Sequence, residues 1–151
     1  MKILLDIITN RVIVSAAAGW FMAQAVKMIL EIVKGSFSLK RLAGGGGMPS
    51  THSSTVSALA VSAGLADGFG STSFAVALFL AIIVMYDARG IRYETGRQAR
   101  ILNRMRDAAI QHGEEPLGEK LEENMGHTLP EIIVGVLTGI ATGILVTTVL
   151  P

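Results

Sequence analysis

Two long runs without a charged residue constrain this sequence more than any other feature. Gly68–Tyr86 is uncharged over 19 residues, and Ile132–Pro151 is uncharged over 20. A helix needs about 20 predominantly apolar residues to cross the hydrocarbon core of a bilayer. Inside that core a backbone must satisfy its own hydrogen bonds, which favours helices. Both runs are therefore predicted to be membrane-spanning helices.

Two further segments fit the same pattern with more polar residues. Val12–Val33 is mostly apolar and has only two charged residues, Lys27 and Glu31, which share one helix face because they are four residues apart. Pro49–Ala66 is rich in Ser and Ala and has no charge other than one that its histidine can take. We predict an all-α fold, an integral membrane helical bundle with about four transmembrane helices, as a single domain over residues 1–151.

Composition supports a membrane protein and excludes some chemistry. Half of the residues are hydrophobic and only 17% are charged. There is no cysteine, which excludes disulfides and thiolate chemistry. Asp6 interrupts the first apolar run, and no clear small-residue cleavage site follows before Trp20. A cleaved signal peptide is therefore not expected.

The basic residues are concentrated in two segments of the chain. Ten of the thirteen lie between the first and second apolar runs or between the third and fourth. Four crossings would put both segments on the same side of the membrane, and positively charged loops stay in the cytoplasm. We predict a protein of the bacterial plasma membrane with both long loops, and any site that they form, facing the cytoplasm.

The segment Glu94–Gln111 has the composition of an amphipathic helix. Ile101, Met105 and Ala108 follow one face and arginines surround it, which predicts an interfacial helix near the lipid headgroups. Its arginines are expected to bind anionic lipid. The last apolar run has glycines four residues apart, a pattern that lets helices pack closely in lipid: Gly135, Gly139 and Gly143.

Four consecutive glycines precede Pro49-Ser50-Thr51-His52 at the start of the second run. Proline suits the first turn of a helix, and the free N–H groups at a helix N-terminus bind anions such as phosphate. Glycine lets a backbone approach a ligand closely. The tetrapeptide therefore fits either a helix capped by Ser50 after a flexible loop or an anion site.

His127 and Glu131 are four residues apart at the start of the last run. A carboxylate at this spacing can hydrogen-bond the imidazole, fix its tautomer and raise its basicity, as in a catalytic pair. The alternative is an interfacial histidine followed by a glutamate that only favours the helix dipole. Either motif alone leaves both interpretations open.

Together these motifs resemble the three-part signature of the type 2 phosphatidic acid phosphatase superfamily. The matching positions are Lys34 and Arg41, Pro49-Ser50-x-His52, and His127-x3-Glu131. The stretches GGMPSTHSS, MYDARGIRYETGRQARILN and GHTLPEIIVGVLTG are similar to a small divergent branch of it, found in bacterial and plant membrane proteins. The resemblance covers Ala23 to about Ile144, nearly the whole chain.

The resemblance implies a mechanism based on histidine. His127 would attack phosphorus and form a phosphohistidine, Glu131 would hold its other ring nitrogen, and His52 would act as general acid and then as general base. The resemblance also implies a set of phosphate-binding residues: Lys34, Arg41, Gly47, Ser50, Thr51, Arg92 and Arg89. Lys27 is a rival to Lys34 as the lysine of the first motif. Three further residues are implied to support the site: Asp87, Gln98 and Asn103.

The sequence departs from the superfamily pattern at several positions. Leu121 stands where the third motif has an arginine, six residues before His127. Arg92 is the first choice for the missing cation and Arg89 the second.

Two other motif positions differ from the superfamily pattern. Thr51 replaces a glycine, and Glu131 replaces an aspartate. Asp87 is expected to pair with an arginine or lysine, and the alternative is a Mg²⁺ site shared with Glu94.

The resemblance implies a metal-independent phosphatase that hydrolyses a lipid phosphate monoester or pyrophosphate, without a cofactor. The alternative is a non-catalytic protein that binds or transports lipid phosphate, and the missing arginine favours it. A scaffold protein is a third reading, suggested only by the glycine face. The expected partners are the lipid phosphate substrate and membrane lipids, with no nucleic acid. A homo-oligomer stays open, because a second copy would cover polar helix ends.

Overall fold

The structure, a computed structural model, describes residues 1–35, 46–115, 118–123 and 125–150, and the described chain is all helical. The all-α prediction is confirmed. A short N-terminal helix was not predicted. The helices, numbered in chain order, are α1 Lys2–Ile8, α2 Arg11–Val33, α3 Thr51–Asp67, α4 Thr72–Arg89, α5 Ile91–Gln111 and α6 Leu129–Val149.

Three parts of the described chain are long and apolar enough to cross a membrane: α2, α6 and the stretch of α4 with α5. This is one fewer than the four predicted, and the difference is α3. Its 17 residues span only about 25 Å at 1.5 Å per residue, less than the roughly 30 Å hydrocarbon core. Its many serines also lower its hydropathy. The chain is a membrane protein whose most buried helix, α3, is less apolar than α2, α4 and α6.

The central helix α3 packs against α2, α4 and α6. Its small side chains let the neighbouring backbones approach, and its serines find partners inside the bundle. The Ser54 hydroxyl donates to the Gly19 carbonyl of α2 at 2.8 Å. Near the other end of α3, Ser62 and Thr147 of α6 share a hydrogen bond of 2.7 Å. Hydrogen bonds between helices thus compensate for the polarity of α3.

The glycine face of α6 lies directly on α3. A Cβ atom on Gly135 would lie 2.5 Å from the Ser50 carbonyl oxygen, and one on Gly143 would lie 2.9 Å from that of Ala58. A Cβ on Gly139 would collide with the Ser54 carbonyl oxygen. These contacts confirm that the four-residue glycine spacing serves close helix packing.

The amphipathic helix α5 begins three residues before the predicted start, at Ile91 rather than Glu94. Its apolar side chains Ile101 and Met105 are exposed. On its other side, buried Asn103 donates to the Leu121 carbonyl at 2.9 Å and accepts from the Leu121 N–H at 2.9 Å. Asn103 therefore fixes the following loop to α5.

Backbone hydrogen bonds join three helix ends at one end of the bundle. The His127 N–H donates to the Ala88 carbonyl at the end of α4, and the Ser50 N–H donates to the Glu131 carbonyl in α6, each at 3.0 Å. The end of α4 and the beginnings of α3 and α6 are thereby held together. This end of the bundle contains the candidate site.

Candidate active site

His127 lies in the short connection just before α6, and its side chain is only 2% exposed. The preceding Gly126 has φ +78°, a conformation that favours glycine, and a Cβ there would collide with the backbone of Tyr93 in α5. Sequence reasoning missed this glycine. Because Gly126 has no side chain, the backbone before His127 can pack directly against the start of α5.

The hydrogen bond between His127 and Glu131 sets the state of the imidazole. Nδ1 lies 3.2 Å from Oε2 of Glu131, which also accepts the Thr128 N–H at 3.0 Å. Glu131 therefore both caps α6 and orients His127, so the two sequence interpretations are compatible. A carboxylate can only accept, so this partner assigns the proton to Nδ1 and leaves a lone pair on Nε2.

Nε2 of His127 is buried and has no hydrogen-bond partner among the residues that the structure describes. Buried polar atoms are nearly always paired, and an exception calls for an explanation such as a catalytic role. The other ring nitrogen is bound by Glu131. Nε2 is therefore the ring nitrogen whose lone pair no other described group engages.

Burial lowers the pKa of His127 below its ordinary value, and this effect outweighs Glu131, which raises it. The positive charges that Lys27 and His52 can carry lower the pKa of His127 further. The ordinary histidine pKa is about 6.5, so His127 is neutral at pH 7. A neutral imidazole keeps the Nε2 lone pair available.

His52 lies in the first turn of α3, where Ser50 caps the helix by accepting from the Ser53 N–H at 3.3 Å. Its side chain is exposed, and its ring centroid lies 6.3 Å from that of His127, with the rings tilted by 60°. The two rings are therefore close enough to contact one phosphoryl group at the same time. One imidazole is buried and the other is accessible.

Lys27 of α2 is the lysine at this site. It is only 2% exposed, and its Nζ donates to the Gly46 carbonyl at 2.9 Å. Gly47, with φ +95°, packs beside the same lysine. Lys34 is exposed seven residues further along the chain, about 10 Å along the helix axis, so the structure does not bring it to the histidines. An ionisable residue within an apolar run was the sequence signal for Lys27.

The other predicted cations are three arginines, two of which the structure describes. Nε of Arg92 contacts Oδ2 of Asp87 at 2.6 Å, and both residues are close enough to influence the charge of His52. Arg89 is exposed in the last turn of α4. Arg41 lies outside the described residues. Arg92 is therefore the described arginine that the structure brings near a site histidine.

The remaining predicted residues are buried, lie at the surface or make contacts that stabilise the fold. Ser50 and Thr51 are buried, and the predicted capping by Ser50 is confirmed. Gln98 is exposed on α5, and Asn103 fixes the loop that leads to His127. The carboxylates proposed for Mg²⁺ each contact an arginine, Asp87 through Arg92 and Glu94 through Arg97.

Comparisons with known proteins identify the family of this chain. Residues 8–142 match the family model described as the divergent PAP2 family, PAP2 being type 2 phosphatidic acid phosphatase. The uncharacterized membrane protein YuiD of Bacillus subtilis (strain 168) is 34% identical over 158 residues, which cover 97% of each chain. No solved structure matches significantly. By the extent of both matches, and with the motif histidines beside one another in the fold, this chain belongs to the divergent PAP2 family.

Proposed function

We propose that this protein is a membrane-embedded phosphatase that hydrolyses a lipid phosphate monoester or pyrophosphate through a phosphohistidine on His127. One observation carries the proposal. Glu131 binds Nδ1 of His127, and the buried Nε2 has no partner among the described residues. The ring centroid of His127 lies 6.3 Å from that of His52. A nucleophile oriented by a carboxylate and placed beside an acid–base group is suited to covalent catalysis.

In the first step, the Nε2 lone pair of His127 forms a bond to phosphorus. The bond between phosphorus and the leaving oxygen breaks, and protonated His52 gives its proton to that oxygen. The Nδ1 proton stays on the ring, where the carboxylate of Glu131 stabilises the positive charge that develops. The products of this step are the dephosphorylated lipid and phosphohistidine.

In the second step, water attacks the phosphohistidine. His52, now neutral, takes a proton from the water as its oxygen bonds to phosphorus. The N–P bond breaks, its electron pair returns to Nε2, and phosphate leaves. Because both steps use imidazoles, the reaction as proposed proceeds in the presence of a chelator.

Lys27 and Arg92 are proposed to bind the phosphate oxygens. Lys27 is buried beside the glycine segment, and Arg92 lies within electrostatic reach of His52. Cations held in place before the reaction stabilise the charge of the transition state. Arg41, and the hydroxyls and backbone N–H groups of Gly47, Ser50 and Thr51, remain proposed contributors. Arg92 takes the part of the arginine that Leu121 replaces.

The proposed substrate is a lipid whose phosphate lies at the headgroup level. The site is at one end of a bundle with three candidate membrane spans, beside the amphipathic α5. The concentration of basic residues at this end supports a cytoplasmic site in the plasma membrane. Lipid phosphates produced on the inner leaflet would then be the substrates.

A protein that only binds or transports lipid phosphate is the second candidate. Leu121 in place of the motif arginine favours it, whereas the proximity of the two histidines favours hydrolysis. The deciding experiment measures phosphate release from a panel of lipid phosphates and pyrophosphates by purified protein in detergent with EDTA. Release in EDTA supports the phosphatase. Vanadate binding without release from any lipid supports the binding protein.

The two lysines of α2 give a matched pair of variants. Lys27→Met is expected to lower kcat/KM for phosphate release by about 10²-fold or more, because a buried cation at the transition state is lost. Lys34→Met, an equal change at an exposed position of the same helix end, should stay within about twofold of the parent, as surface changes usually do. A greater loss for Lys34→Met would mean that Lys34 is the first-motif lysine.

The lowered pKa of His127 predicts how activity depends on pH. Protonation of Nε2 removes the nucleophile, so the acid limb of kcat/KM should lie below the ordinary histidine value of about 6.5. Glu131 raises that pKa, so Glu131→Gln should move the acid limb to still lower pH. We expect it also to slow the reaction by roughly 10²–10⁴-fold, as when a catalytic histidine loses its carboxylate partner. An acid limb that moves upward in Glu131→Gln contradicts the proposed pairing.

A further inference from the structure

The helices α2 and α4 leave a furrow between them on the surface of α3. Both pack on α3, but throughout their described lengths they do not pack against each other. His52, Thr55, Leu59 and Ala63 of α3 are spaced three to four residues apart and share the face that lies between the two walls. We call this channel, floored by those four residues, the α2–α4 furrow.

The deeper part of the α2–α4 furrow contains a cavity of about 450 Å³. The floor there is Leu59 and Ala63 of α3, and the α2 wall includes Val12. The α4 wall includes Val76 and Leu80. These side chains are apolar, and this part of the furrow suits hydrocarbon. The cavity becomes polar only at the helix ends away from the candidate site, where its lining is Asn10, Asp67, Thr72 and Ser73.

The face of α3 that lines the cavity at Leu59 and Ala63 also carries His52 of the candidate site. His52 lies at one end of the furrow floor and is influenced by charges on both walls, namely Lys27 on α2 and Asp87 on α4. From His52 to Ala63 the floor extends about 16 Å at 1.5 Å per residue. That length is close to one leaflet of a bilayer whose hydrocarbon core is about 30 Å thick.

Both walls of the furrow belong to candidate membrane spans, so it opens sideways into the bilayer. Water is excluded from that depth, so an open apolar channel there is filled by hydrocarbon. A lipid chain with its phosphate at the histidines would have its first carbons beside Thr55 and its later ones beside Leu59. The geometry therefore favours a lipid over a second protein chain as the occupant.

We propose that the α2–α4 furrow holds the apolar chain of the lipid phosphate substrate, which enters the site sideways from the leaflet. The phosphate end of this assignment rests on the proposed function, whereas the chain end rests on the furrow itself. Chain binding would position the phosphate between His52 and His127. Long-chain lipid phosphates would then be preferred over short, water-soluble phosphate esters.

The first test locates the chain without requiring turnover. Wild-type protein in lipid nanodiscs is irradiated with phosphatidic acid that has a diazirine near the middle of one acyl chain, and labelled residues are identified by mass spectrometry. We expect labelling at the lining residues of the furrow, at least about fivefold above that at Leu137, which is exposed on α6. Equal labelling of the furrow and of Leu137 would overturn the proposal.

The second test blocks the furrow with Leu59→Trp and uses Leu137→Trp as the matched control. We expect Leu59→Trp to lower labelling of the furrow about tenfold. It should lower kcat/KM to a similar extent for a long-chain phosphatidic acid and leave kcat/KM for a dibutyryl analogue unchanged. An equal loss with both substrates, or no loss of labelling in a variant that still elutes as folded protein, would overturn the proposal. Selective furrow labelling without any phosphate release would leave the furrow assignment standing and reject the phosphatase.

A second copy of the chain is the competing occupant. Because the sequence has no cysteine, Leu59→Cys introduces a single thiol into the floor of the furrow. Disulfide-linked dimers formed in the membrane under mild oxidation would place another chain there and overturn the proposal. Persistence of monomers, with the thiol protected from a water-soluble maleimide, is the result expected for a lipid-filled furrow.

Discussion

His127→Ala is expected to lower phosphate release by about 10⁴-fold or more, since loss of a covalent nucleophile leaves only binding and electrostatic stabilisation. The side chain supplies the unpaired Nε2, and no other described histidine has this environment: His52 is exposed, and His112 follows α5 at the surface. The measurement is phosphate release from a lipid phosphate in EDTA. Acid-labile, base-stable radiolabel on the parent protein, absent from the variant, would identify the phosphohistidine.

The chain provides its own control for this substitution. His112→Ala removes an exposed imidazole from the end of α5, away from the His127–Glu131 pair. Its activity should stay within about twofold of the parent, because surface substitutions rarely have larger effects. Full activity in His127→Ala, with His112→Ala also active, would reject the phosphohistidine mechanism. If only the binding function exists, vanadate should still protect the parent protein against heat.

Gly139→Ala is expected to give the largest loss of stability among single-methyl changes in α6. The added Cβ would collide with the Ser54 carbonyl oxygen of α3, and a backbone atom cannot move aside as a flexible side chain can. Overpacking costs typically 1–3 kcal/mol and occasionally more, whereas Ala gains only about 1 kcal/mol over Gly in helix propensity. We expect the clash to prevail and the thermal midpoint in detergent to fall by about 5 °C.

Gly70→Ala is the matched control for this packing prediction. Gly70 lies in the turn between α3 and α4, and a Cβ there would meet nothing within 4 Å. Its thermal midpoint should change by no more than about 1–2 °C, as expected for a change without new contacts. An unchanged midpoint in Gly139→Ala would mean that α6 can move away from α3 at little cost. Both variants can be compared by fluorescence-detected size-exclusion after heating.

Much of the helical framework could be predicted from the sequence. The uncharged runs gave α4 and α6 within a few residues. The apolar face of Ile101, Met105 and Ala108, with arginines around it, gave the amphipathic α5. The short helix α1 was missed because its seven residues are too few for a clear pattern. The three candidate spans are close to the four or so predicted, and the difference is α3, whose small side chains suit burial among helices as well as a bilayer.

The sequence by itself determined which chemical groups stand at the helix ends, because hydropathy, charge and capping are local properties of the chain. Only the tertiary structure decided which of them meet. It brought His52 beside His127, which lies 75 residues later, and buried Lys27 while leaving Lys34 exposed. It left Nε2 of His127 without a partner among the described residues. It also separated α2 from α4 along α3. Such distances depend on how the glycine face of α6 and the serines of α3 pack, and residue spacing along one helix does not encode them.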